Sequence, residues 1–156
     1  MKRPLAAAVR LAILAGALAA ATPAGAGLAI ALNSADGTVS LIDTETYQVT
    51  GKAVACKEPH HLIATPDDQS VIVACAASNQ LVYFDPKTGR EQKRVRGISD
   101  PYQIGFSPGG KWFVAASLRL DRVDIYDAAD LKLRKRIHAP RAPSHIAFDD
   151  AGKFAF

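Results

Sequence analysis

Three imidazoles, a phenol and a carboxamide fall at matching places in this chain. His60 and His61 are followed 42 residues later by Tyr102 and Gln103, and His145 stands 42 residues after Gln103. Imidazole titrates near neutral pH and is a common ligand of metal ions and haem iron. Phenol and carboxamide both give and accept hydrogen bonds. One reading is that these side chains line a small-molecule or metal site. The other is that a polar residue, copied with its repeat, makes one structural hydrogen bond per unit. The shared spacing supports both.

Other reactive types group less well. Asp43, Asp85 and Asp127 keep the same step of 42 but open turns, as in Asp85-Pro86-Lys87-Thr88-Gly89. An aspartate there caps nearby amides through its side chain, so the series reads as turn chemistry rather than acid–base catalysis. Arg119 and Arg122 flank an irregular turn; guanidinium is a natural anion binder, but a lone arginine turn is a weak signal. There is no nucleophile elbow, phosphate-cradling glycine loop or HExxH segment, so the reading favours a module that is not an enzyme. Cys56 and Cys75 have neither metal-site nor haem-attachment spacing; they could pair, or Cys75 could be a small buried hydrophobe.

The elements that must carry these residues follow from the same period. Pro59, Pro101 and Pro143 are 42 apart, as are Lys52, Arg94 and Arg136, and apolar sets such as Leu62, Ile104 and Ile146. The prolines suit the first residue of a strand. Within one unit, Leu62–Thr65, Val71–Ala76, Gln80–Asp85 and Glu91–Val95 read as four short strands joined by tight turns, the last mostly charged and therefore outermost. Four strands repeated about every 40 residues make a β-propeller blade. The predicted fold is all-β: four-stranded antiparallel blades in an incomplete ring. His60, His61 and His145 then start innermost strands, facing a channel mouth.

The ends differ from the array. Residues 1–26 begin with Lys2 and Arg3, continue through an uncharged run from Leu11 to Ala21, and finish on Ala24-Gly25-Ala26. This is the pattern of a secretory signal peptide cleaved after Ala26; an uncleaved anchor is the alternative. The apolar run is shorter than the roughly 20 residues a bilayer span needs. Three of the 19 basic residues and none of the 15 acidic ones lie in this leader, so 16 cations face 15 anions in the rest. The basic character is mostly the leader's and does not point to nucleic acid. Lys93-Arg94 with Arg96, and Arg134-Lys135-Arg136, occupy equivalent places without interleaved aromatics, and read as solvated outer strands.

The segments Ser107-Pro108-Gly109-Gly110-Lys111-Trp112-Phe113-Val114-Ala115 and Val123-Asp124-Ile125-Tyr126-Asp127 resemble the repeat of the YVTN/YncE-like β-propellers, relatives of the cytochrome d1 propeller. Gly37 to Asp43 matches as well, and the resemblance covers residues 28–156. Gly109 departs from the usual aspartate, and Leu118-Arg119-Leu120 replaces a short turn. In this register residues 27–156 hold two full blades, Pro59 to Ala142, flanked by two partial ones, with Phe156 in the middle of a second strand. A seven-bladed ring would need roughly 290 residues, so the expectation is a fragment.

The functional expectation is an exported, periplasmic propeller that binds a protein or small ligand, with no membrane span after leader cleavage. Its site would be His60, His61, Tyr102, Gln103 and His145. The alternative, implied by the resemblance, is a cofactor-binding enzyme or carrier of cytochrome d1, quinoprotein-like or lactonase-like type. A d1-type haem or a metal enters by that analogy alone.

Overall fold

A computed structural model describes residues 27–156; the expected signal peptide, residues 1–26, lies outside the described residues. The first sheet holds β1 (Leu28–Asn33), β2 (Thr38–Asp43) and β3 (Val49–Val54). The second holds β4 (Pro59–Ala64), β5 (Val71–Cys75), β6 (Gln80–Phe84) and β7 (Glu91–Arg96). The third holds β8 (Gln103–Phe106), β9 (Trp112–Ser117), β10 (Arg122–Asp127) and β11 (Leu133–His138), with a 3-10 turn at Leu118–Leu120. Each sheet is an antiparallel meander in chain order, and only the first has three strands. These are propeller blades in an open array.

Face-to-face packing follows the alternation of side chains along each strand. One face of the second sheet sends Val73, Cys75, Val82 and Phe84 against Val39 and Ala55 of the first blade. The other sends Ile72, Ala74, Leu81 and Tyr83 against Ile104, Phe113, Ala115 and Tyr126 of the third. The central strands β5 and β6 are buried on both faces after their first residues, as the apolar sequence there requires. The outermost strands β7 and β11 carry the basic runs, and most of these side chains are exposed.

The repeat also governs the backbone. Positive φ recurs at Gly37, Asn79 and Asp121, and again at Glu58, Asp100 and Ala142, directly before the three prolines. The two series are linked. The Asn79 side-chain oxygen accepts from the Asp100 N–H at 2.7 Å, and the Asp121 carboxylate accepts from the Ala142 N–H at 2.8 Å. Gly37 has no side chain for that bond, and a Cβ there would lie 2.5 Å from the Cys56 carbonyl oxygen. Asp43 and Asp85 cap their turns as expected, each accepting two backbone N–H bonds at 2.7–2.9 Å. Those bonds hold both carboxyls below the usual aspartate range.

Beyond β11 the chain starts another unit. Ala147 and Phe156 exchange both backbone hydrogen bonds, at 3.0 and 2.8 Å. This matches the pairs Ile63–Ile72 and Gly105–Val114 of the two preceding blades, so the register holds to the last residue. His145 lies two residues ahead of that pairing, in a stretch with no assigned strand.

Candidate functional site

The innermost strands place the predicted residues through one irregularity. β4 pairs Pro59 with Cys75 and then His61 with Ala74, so His60 is the extra residue of a β-bulge. Regular alternation would send His60 to the side of Leu62, which faces the first blade. The bulge re-aims it, a common use of bulges. Its ring instead stacks on Tyr102 of the next blade, centroids 3.5 Å apart and planes tilted by 31°.

The contact fixes the His60 tautomer. His60 Nδ1 is 3.1 Å from the Tyr102 carbonyl oxygen. A carbonyl oxygen only accepts, so Nδ1 carries the proton, and in the neutral ring Nε2 keeps its lone pair. An imidazole whose one nitrogen donates to a backbone carbonyl while the other is free is oriented as metal-bound histidines are.

His61 follows in β4 and faces the third blade. The Ile104 N–H points at its Nδ1 from 3.5 Å, a weak contact at that length. Burial pushes the His61 pKa below its ordinary value, and His60 and His145 lower it further because three nearby imidazoles resist charging together. Charge on His61 is thus disfavoured, and His145 lies within its electrostatic reach despite belonging to the blade after next. The exposed His145 has its Nδ1 3.1 Å from Ser144 Oγ. Gln103 opens β8 in the matching register position. None of the three Nε2 atoms has a hydrogen-bond partner among the described residues.

This donor set offers single imidazole nitrogens rather than a cage. Among the described residues no group of three His, Cys, Asp or Glu side chains is placed to hold a metal ion together. The arrangement therefore does not fit a metal held by protein ligands alone. It fits a ligand that takes one imidazole lone pair, or one that lies along the half-buried His60 and Tyr102 rings.

Four features were not legible in the spacing. Cys56 and Cys75 form a disulfide, which ties the segment between the first two blades to β5; Cys75 is therefore not a free hydrophobe. Arg119 is not unpaired: it bridges Asp100 and Glu58. Arg122 is not free either. It lies 3.2 Å from Asp124, a fully buried carboxylate that also accepts two bonds from Arg136 at 2.7 and 2.8 Å. Tyr126, burial foremost and Asp124 next, has its phenol pushed up to about 12. A signal for this cluster existed: Asp124 takes the register place of Val82 and Ser40, while its cross-strand partner Arg136 continues the cation series. Finally, Asp100 itself is buried at 4 % exposure, where its repeat counterpart Glu58 is half-buried.

Similarity to known proteins agrees with this geometry. A hydrazine synthase from Kuenenia stuttgartiensis superposes with a TM-score of 0.68 at 22% identity, over 83% of this chain and 38% of that one. A putative 6-phosphogluconolactonase from Bacteroides fragilis gives 0.68 at 18%, over 86% and 44%. The dihydro-heme d1 dehydrogenase NirN gives 0.59 at 18%, over 77% and 27%. The chain thus spans less than half the length of each, and identities this low speak for the fold alone. No curated protein matches in sequence. The profile of the YNCE-like beta-propeller family matches residues 3–155, and the chain belongs to that family.

Proposed function

We propose that this protein is an exported, periplasmic β-propeller that binds a partner or small ligand at the mouth formed by its innermost strands. The observation that carries the reading is the His60–Tyr102 contact. It orients an imidazole, sets its tautomer and leaves Nε2 free to meet a ligand. His61 beside it, its charged form disfavoured, adds a second polar ring. Export is supported by the leader pattern in residues 1–26 and by the disulfide, since such bonds persist in oxidising compartments.

A second reading is a cofactor carrier. It is favoured by the same free Nε2, since haem iron takes a single axial imidazole, and by the likeness to NirN, whose structure is a complex with DHE. One experiment addresses both. The whole protein is recovered from the periplasmic fraction and its visible spectrum recorded. A Soret-like band supports the carrier; protein absorbance alone supports the binding module. Retention in the cytoplasm with an intact leader contradicts export.

A further inference from the structure

We infer that Arg119 is a positioning residue for the histidine cluster, cross-linking the two segments that deliver His60 and Tyr102. The inference rests on the site reading above for its consequence, while its geometry stands alone. Glu58 precedes His60 by two residues, and Asp100 precedes Tyr102 by two. Arg119 joins the first pair: Nη1 donates to Glu58 Oε2 at 2.9 Å, and Nε donates to Asp100 Oδ1 at 2.9 Å. The ring stack joins the second pair. The Arg119 backbone N–H also donates to Asp100 Oδ2 at 2.6 Å, fixing the turn that carries the guanidinium. Two neighbouring segments are therefore pinned together at matching points, just ahead of the rings they present.

Three observations separate this from an ordinary surface ion pair. The guanidinium serves two carboxylates from different blade connections at once, in the fixed geometry of its planar fork. Both carboxylate residues have positive φ immediately before a strand-opening proline, so the clamp acts where each innermost strand takes its direction. And it is used once: the register counterparts of Arg119 are Ala35 and Ala77, which have no side chain to reach across. The clamp occurs at the junction that holds the His60–Tyr102 stack, on a turn where Leu118-Arg119-Leu120 departs from the family-like pattern.

The test is NMR of the histidine rings in the whole protein without added ligand. Arg119→Ala is expected to abolish the upfield ring-current displacement of the His60 protons and to move the His61 titration midpoint up toward that of an ordinary imidazole. Arg119→Lys and Glu58→Gln are expected to produce part of both changes. Arg134→Ala, which breaks a 3.1 Å pair with Asp127 elsewhere in the third blade, is expected to produce neither. A folded Arg119→Ala protein with unchanged His60 shifts and His61 midpoint overturns the inference. Should Arg119→Ala not fold, Glu58→Gln decides, because it leaves the Asp100 leg intact; unchanged His60 shifts there overturn it equally. Failure of the wild-type protein to bind haemin would instead count against the site reading and leave this result standing.

Discussion

His60 lies against Tyr102, its own counterpart one repeat later, with ring centroids 3.5 Å apart. The same register position thus provides both partners of a contact between adjacent blades. An aromatic pair of this kind is worth about 0.5–1.5 kcal/mol beyond its buried area. His60→Ala and Tyr102→Ala are each expected to destabilise the protein by about 1 kcal/mol, and the double variant by less than their sum. Urea unfolding of the four proteins checks this; strict additivity would show that the rings do not interact.

His61 gives a pH dependence of known sign. Its folded-state pKa is lowered from 6.5, so the unfolded chain binds the proton more tightly. The stability linked to this residue is fully present above the unfolded value and is lost as pH falls through the folded one. Between about pH 7.5 and about pH 5.5, the urea midpoint of the wild-type protein should fall further than that of His61→Gln, which carries the residue type found at Gln103. Equal falls would mean that His61 titrates normally.

The Cys56–Cys75 bond closes a loop of sequence separation 19. Cross-links over loops near this size stabilise by about 3 kcal/mol. The Cys56→Ser/Cys75→Ser variant should lose about that amount, and dithiothreitol should shift the wild-type urea midpoint to match it. A midpoint insensitive to reductant would show that the two thiols are unpaired in solution.

Asp124 is fully buried between Arg122 and Arg136. Removing one partner of a buried ion pair leaves uncompensated charge and costs about 3–5 kcal/mol. Asp124→Ala should approach that range. Arg136→Ala should cost less, because Arg122 remains beside the carboxylate and Arg136 is half exposed. The reverse order in a denaturation series would show that Arg122 alone does not compensate the buried carboxylate.

The blade architecture was legible because each repeat states it again: proline opening the innermost strand, an apolar run in the second, aspartate ending the third, cations in the fourth. Periodicity fixes which residues are equivalent, and Ala147–Phe156 shows that it holds to the last pairing. It is blind to what breaks equivalence. The bulge at His60 is one extra residue in a ladder, with no signature in residue type. Arg119 and Asp124 break the period, their counterparts being alanine, valine and serine, and only the pairing of Asp124 with the cation series hints at the second of them. His145 keeps the register of His61 and Gln103, whose ladder partners are Ala74 and Ala116.

The central claim is that the free imidazole edge of His60, with His61 and His145 beside it, binds a ligand. The most direct measurement is titration of the whole protein with haemin, followed by absorbance and calorimetry, in the wild type, His60→Ala and His61→Ala/His145→Ala. The account predicts saturable binding by the wild type, lost in His60→Ala and weakened in the double variant. Saturable binding that all three proteins share, or no binding by the wild type, would contradict it.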